Sequence, residues 1–190
     1  MVAWTLAAAL VAALWLVAVF QVPSGSMRET LLPGDYVLVF RGAYGLPLPF
    51  GSARLPGNRA PRRGDLVVLR APDRPGERLV KRVIATAGET VAMVDRRVIV
   101  DGDTLSEPWA LHTSTAVHPA GFDPRDNLAP LTLGPGQVFV LGDNRDDSED
   151  SRFWGPVREE DLIGRAFLIH WSWDERGGRP RWERILRRVR

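Results

Sequence analysis

The chain predicts an all-β domain built from antiparallel sheets, standing behind one N-terminal transmembrane helix. Three observations carry that reading. The run from Val2 to Val22 holds no charged residue, and a series of short segments rich in β-branched residues follows it. No interior stretch sustains a helical period. The 190 residues suit one main domain with small appendages. They divide into an anchor at 1–22, a β domain with loop excursions at 23–175, and a basic tail at 176–190.

The anchor reading rests on length. At about 1.5 Å of rise per residue, roughly 20 apolar residues cross a hydrocarbon core about 30 Å thick. A cleaved signal peptide would begin with basic residues and carry a shorter apolar run; this chain has no Lys or Arg before Arg28. The same lack of basic residues leaves orientation unset by charge bias.

The predicted strands follow in order: Asp35–Phe40, Asp65–Leu69, Leu79–Ile84, Thr90–Val94, Arg97–Val100, Gln137–Leu141 and Leu162–Ile169. Asp95-Arg96-Arg97 is placed to turn one hairpin and Asp101-Gly102 another. Two segments read as loops. One is the Gly-, Pro- and Arg-rich stretch 42–63, and the other the polar, Pro-rich stretch 105–133.

The tail carries seven arginines and one glutamate; without it the body has a net charge of −4. Trp182, Ile185, Leu186 and Val189 recur at helical spacing. That pattern fits a short basic amphipathic helix that either lies on anionic lipid or packs on the domain. Nucleic acid is a poor partner for a tail on an anchored chain. The absence of cysteine excludes disulfides, thiol catalysis and Cys-based metal sites.

Chemistry is suggested first by a scarcity. Lys81 is the single lysine beside 24 arginines. Arginine keeps its proton and cannot act as a base, whereas a desolvated lysine can. Lys81 sits in Leu79-Val80-Lys81-Arg82-Val83-Ile84, where strand alternation sets it on one face with Leu79 and Val83 and turns Arg82 the other way. Upstream, Ser26 closes Pro23-Ser24-Gly25-Ser26 four residues beyond the apolar run. Serine needs a partner that takes its proton. His112, His118 and His170 have no recognisable triad aspartate, and a structural role suits each; they make no metal site either. No cofactor is called for. The acidic stretch Gly142–Gly155 lacks the spacing of a calcium loop, and its side chains are suited to orienting an amine.

Four segments together resemble the type I signal peptidases, membrane-bound Ser–Lys endopeptidases. They are Phe20–Met27, Arg63–Val68, Val80–Ile84, and Gly142–Asp146 with Asp150–Gly155. The resemblance runs from about Phe20 to Trp173. It implies that Ser26 is the nucleophile, Lys81 the general base, and Ser24 an oxyanion donor beside the Ser26 N–H. It further implies that Ser148 orients Lys81 and that Asp150 and Arg152 form a supporting ion pair, with Asp143 and Arg145 in the same turn network. Val22, Met27, Leu31, Leu79 and Val80 would line small apolar pockets for an Ala-X-Ala sequence. The implied substrates are signal peptides of exported preproteins. The implied place is the bacterial cytoplasmic membrane, spanned once, with the β domain extracytoplasmic and against the bilayer.

The chain departs from the family pattern in places. Glu29 stands where proline usually precedes the Thr-Leu pair, Ala85–Glu89 replaces a Gly-Leu-Pro-Gly-Asp type of turn, and Asp147 replaces a common asparagine. None removes a chemical role. Two rival classes share parts of the pattern. One is another Ser–Lys protease, of the self-cleaving SOS-repressor or mitochondrial inner-membrane kind. The other is a catalytically inactive, membrane-anchored β module that binds exported peptides.

Overall fold

A computed structural model of the chain describes residues 15–47 and 54–189. Most of the apolar run, residues 1–14, lies outside the described residues, and no helix among those described is long and apolar enough to cross a membrane. The end of the run requires a correction. Val17–Gln21 forms strand β1, paired antiparallel with β2 (Asp35–Phe40) from Val17 opposite Phe40 to Gln21 opposite Tyr36. Any helix therefore ends before Val17. Val-Ala-Val-Phe is as good a strand as a membrane segment by hydropathy alone, and the open edge of β2 gives its backbone a ladder.

Among the described residues thirteen further strands follow β1, after β2 as β3 (Leu46–Pro47), β4 (Arg54–Leu55), β5 (Leu66–Arg70), β6 (Arg78–Thr86), β7 (Thr90–Val94) and β8 (Arg97–Val100). The rest are β9 (Asp103–Thr104), β10 (Leu128–Thr132), β11 (Gln137–Leu141), β12 (Val157–Arg158), β13 (Leu162–Asp174) and β14 (Arg179–Pro180), and a short helix, α1, lies at Ser151–Trp154. The main sheet runs β1-β2-β13-β5-β6-β11-β12, with β14 added to β13; a second sheet runs β10-β7-β8-β9. Every strand pair among the described residues is antiparallel. Two expected loops hold short strands: β3 and β4 pair within 42–63, and β10 pairs with β7.

Strand β6 lies between β5 and β11 and is buried on both faces, which its unbroken run Leu-Val-Lys-Arg-Val-Ile-Ala permits. Val80 enters one apolar cluster with Val22, Met27, Leu31, Val37 and Ile169. Leu79 and Val83 enter a second with Val67, Leu69 and Val140, while Ile84 and Ala85 join the second sheet through Val91, Met93 and Phe139. One strand thus ties three cores together. The β7–β8 hairpin turns on Asp95 and Arg96, both at positive φ (45° and 71°), the geometry that matches strand twist in a two-residue hairpin.

Two appendages cover this frame. The excursion between β9 and β10 lies on the loop after β11: Leu111 N–H donates to Asp143 O (2.7 Å) and Leu111 O accepts from Arg145 N–H (2.9 Å). The tail corrects the helix expectation. After β14 it makes a single 3-10 turn at Trp182–Arg184, then runs extended along β13, with Ile169 N–H donating to Arg187 O and Leu186 N–H to Ile169 O. The helical spacing fails because Arg184 is drawn inward to the buried Asp35, accepting Nη2 at 2.6 Å, while Trp182 and Leu186 remain exposed. Trp182 meets Trp171 edge to face at 6.0 Å, and Trp173 is partly exposed.

Candidate active site

Ser26 lies in a 3-10 turn, Gly25–Met27, directly after the extended Ser24. The turn is held from below: Met27 is buried, and its carbonyl accepts from Thr30 N–H and Leu31 N–H. Glu29 sits at φ +75°. Proline, fixed near φ −65°, cannot take that conformation, so replacing the family's usual proline by Glu29 goes with a different turn. Ser24 Oγ stands 3.4 Å from Ser26 Oγ.

Lys81 comes from the middle of β6. Its side chain is 2 % exposed, and Nζ donates to Ser148 Oγ at 2.9 Å. Burial pushes the ammonium down to about 8; the Asp150 carboxylate opposes that shift, and Arg152 and Arg74 add to it. The amine's hydrogen bond goes to Ser148, while Ser26 and Lys81 face the same open cleft of about 640 Å³. Ser24, Leu79, Phe153, and the Arg74–Glu149 ion pair (2.9 Å) border it as well.

The loop after β11 connects the two halves of the site. Gly142 packs so closely that a Cβ there would lie 2.2 Å from Ser148 Oγ and 2.6 Å from Ser26 O. Asn144 docks the serine turn, its N–H donating to Ser26 O (3.0 Å) and its Nδ2 to Gly25 O (3.1 Å). Asp150 caps α1, accepts from Gly142 N–H (3.0 Å), and pairs with Arg152 through Nε at 2.7 Å and Nη2 at 2.8 Å. Both are buried. Although burial favours the neutral acid, Arg152 holds the Asp150 carboxyl below its ordinary range. Arg152 also donates to the carbonyls of Arg145, Ser148 and Arg125, which fixes the loop's path.

Asp143 and Arg145 belong to separate contacts within this region. Asp143 accepts two hydrogen bonds from Arg82 (2.8 and 2.7 Å) and one from Thr30 Oγ1 (2.5 Å), and the Arg82 guanidinium lies 4.4 Å from the Trp109 ring centre. Arg145 pairs with Glu107 instead. Of the five residues expected to line substrate pockets, Leu79 alone borders this cleft; Val22, Met27, Leu31 and Val80 are at most 5 % exposed and sit in the packed core. Apolar character in a motif marks burial and pocket lining alike, so sequence does not separate them.

Asn144, Thr30, Trp109 and Glu107 were not reached from the sequence. Asn144 belongs to the acidic stretch Gly142–Gly155, but nothing in its sequence neighbours distinguishes it as a clasp on Ser26. His112 and His118 face Asp146 (3.6 Å) and Asp123 (2.7 Å), and neither borders the cleft. Among the described residues no His, Cys, Asp and Glu cluster is arranged to hold a metal.

A family model described as signal peptidase, peptidase S26, matches residues 1–171. The signal peptidase I of Pseudomonas aeruginosa is 34 % identical over 190 aligned residues, covering 85 % of this chain and 67 % of the relative. That of Pseudomonas fluorescens is 32 % identical with the same coverage, and a probable signal peptidase I-1 of Synechocystis is 32 % identical over 77 % of this chain and 67 % of its own length. A solved signal peptidase I from Enterococcus faecalis V583, at 31 % identity, overlaps 56 % of this chain and 97 % of its own with a TM-score of 0.46, too loose a likeness to carry the fold argument. With the family model spanning nearly the whole chain and all three of these relatives above 30 % identity, the chain belongs to the signal peptidase family, peptidase S26, and is a serine endopeptidase that removes signal peptides.

Proposed function

We propose that Ser26 and Lys81 are the catalytic pair with which this signal peptidase cuts exported preproteins. The observation that carries this is the Lys81 amine: nearly solvent-free, depressed to about 8, and in the same cleft as Ser26. A base must be neutral to accept a proton, and this environment brings the neutral form of the lysine within reach near pH 8, where a solvated lysine would be almost wholly charged.

The steps follow from the groups present. Neutral Lys81 Nζ takes the Ser26 hydroxyl proton as Oγ bonds to the carbonyl carbon before the scissile bond. The Ser24 hydroxyl and the Ser26 N–H receive the oxyanion; one such donor is worth about 3 kcal/mol. As the C–N bond breaks, Lys81 returns its proton to the departing amine, leaving an ester on Ser26. Lys81 then deprotonates a water that hydrolyses the ester and restores the hydroxyl. Ser148 keeps Nζ aimed through this cycle. The Lys81–Ser26 hydrogen bond forms when substrate binds in the cleft, since catalytic contacts that are long in a free enzyme commonly close only in the complex.

Small side chains before the cut, in an Ala-X-Ala pattern, suit a cleft whose apolar wall is Leu79 and Phe153. The uncharged residues ahead of β1 belong to an anchor in the bacterial cytoplasmic membrane, and the β domain faces outward, where a preprotein's cleavage site emerges. The test uses the purified full chain with a preprotein. Ser26→Ala, Lys81→Ala and Lys81→Arg should each abolish cleavage while thermal unfolding stays cooperative. Near-normal turnover by Lys81→Arg would remove lysine as the base, because arginine does not give up its proton.

A further inference from the structure

The excursion between β9 and β10 contributes one carboxylate to the underside of the site. Arg145 Nη2 donates to Glu107 Oε1 at 2.6 Å and Nη1 to Oε2 at 3.0 Å. The pair is buried, with side-chain exposures of 1 % for Arg145 and 8 % for Glu107. The remaining edge of the guanidinium, Nε–H, donates to Gly142 O at 3.0 Å. A bidentate fork fixes the guanidinium plane, so Glu107 determines where Nε points. Gly142 is the residue squeezed between Ser26 O and Ser148 Oγ. Its N–H is already fixed by Asp150, and Arg145 fixes the other side of the next peptide.

We infer that Glu107 is a positioning residue for the cleavage reaction, setting through Arg145 and the Gly142 carbonyl the separation between Ser26 and the Ser148-held Lys81. The inference rests on the Ser26–Lys81 reading above. Glu107 touches neither substrate nor reacting atoms. Its effect passes through one guanidinium and one peptide plane, each held at both ends, so loosening the carboxylate shifts the loop that Ser26 and Ser148 both lean on. A misplacement of about 1 Å in such a pair lowers turnover by up to a hundredfold. The Leu79 side of the cleft is left alone, since it belongs to β6, and its Phe153 side rests on α1, which the Asp150–Arg152 pair holds.

The experiment compares wild type, Glu107→Gln, Glu107→Asp, Arg145→Gln and the Glu107→Gln/Arg145→Gln double variant, using the full chain in detergent with a preprotein substrate. Exposed Glu183→Gln serves as the control. Glu107→Gln should lower kcat about tenfold or more with KM within twofold, at a temperature where thermal unfolding shows the chain folded. Glu107→Asp should recover part of that loss. The double variant should be no slower than Arg145→Gln alone, because two residues acting as a unit do not add. A Glu107→Gln enzyme with unchanged kcat, or a loss that appears in KM alone, would overturn the assignment. Should the Gln variant be unfolded at the assay temperature, Glu107→Asp assayed cold decides in the same terms. Lys81→Ala run alongside separates the two readings: an active Lys81→Ala removes the dyad, whereas a dead Lys81→Ala beside a fully active Glu107→Gln removes only the role of Glu107.

Discussion

Gly142 approaches Ser26 so closely that a methyl group on its Cα would lie 2.6 Å from the Ser26 carbonyl oxygen, well inside van der Waals contact. The same methyl would meet Ser148 Oγ at 2.2 Å. The contact with Ser26 is to backbone, which cannot rotate away, and it joins the serine turn to the lysine's hydrogen-bond partner.

Gly142→Ala should therefore separate the two halves of the site. Overpacking of this kind destabilises by about 1–3 kcal/mol. The larger consequence is geometric: kcat should fall by roughly a hundredfold, since the clash moves Ser26 or Ser148 directly. Thermal unfolding and steady-state kinetics on one preparation check it; a variant with wild-type kcat would mean that the loop does not set the Ser26–Ser148 spacing.

The depressed Lys81 amine fixes the direction of the pH profile. Only the neutral form accepts a proton, so cleavage should rise with pH and reach half its maximum near pH 8, where Lys81 loses its proton. Measuring kcat/KM from pH 6 to pH 10.5 tests it. A rate still climbing beyond pH 10 would belong to an ordinary, solvated lysine.

Lys81 also bears on stability. The unfolded chain holds this proton up to about pH 10.5 and the folded chain only to about 8. Between those values the unfolded state binds more protons, so stability rises with pH there, and below pH 8 the burial penalty applies in full. A difference of this size corresponds to about 3 kcal/mol. Lys81→Met removes the penalty while leaving Ser148 without its donor, worth about 1 kcal/mol. The variant should be inactive yet more stable than wild type at pH 7 by about 2 kcal/mol, an advantage that shrinks as the pH approaches 10. A Lys81→Met protein that melts below wild type at pH 7 would count against a desolvated amine.

Strand content was legible in the sequence because β-branched runs such as Asp35–Phe40 and Gln137–Leu141 are bounded by turn formers, and both appear with the same limits in the fold. Val17–Gln21 was not, since apolar β-branched residues fit a bilayer and an edge strand equally. The tail failed for another reason. Its helical spacing is real, but the buried Asp35, 149 positions earlier, captures Arg184, and periodicity carries no information about such a partner. At the candidate site, scarcity and motif point to Ser26 and Lys81, and the fold sets both on one cleft. Glu107 and Asn144 act through contacts made only in three dimensions, to Arg145 and to the Ser26 carbonyl, so no local signal marks them.

Glu29 holds the turn behind Ser26 in the left-handed region, at φ +75°. A non-glycine residue there costs about 1–2 kcal/mol. Glu29→Gly should stabilise the chain by up to about 1 kcal/mol and leave cleavage intact, since the backbone keeps its path. Glu29→Pro, which restores the residue usual in the family, should destabilise this particular turn because its φ is incompatible. Unfolding curves for the two variants should move in opposite directions. A Pro variant as stable as wild type would show that the turn is free to rearrange.

Arg184 and Asp35 link the C-terminal strap to the segment that follows Ser26. Asp35 is fully buried and accepts from Arg184 Nε (3.1 Å) and Nη2 (2.6 Å), from Ser172 Oγ (2.6 Å) and from Leu32 N–H (2.9 Å). Arg184 Nη2 also donates to Thr30 O at 3.0 Å, four residues beyond Ser26. Removing one member of a buried pair leaves the other charge uncompensated, at about 3–5 kcal/mol. Arg184→Ala should therefore lower stability by that order, while Asp35→Asn combined with Arg184→Met should lose markedly less than the two single changes summed. Because Thr30 loses its clamp in both cases, kcat should fall in the double variant even where stability is largely regained. A double-mutant cycle in thermal unfolding, with kinetics on each variant, reads both effects. Additive stability changes would mean that strap and nucleophile segment are held independently, and an unchanged kcat in the double variant would mean that the strap supports the fold without steadying Ser26.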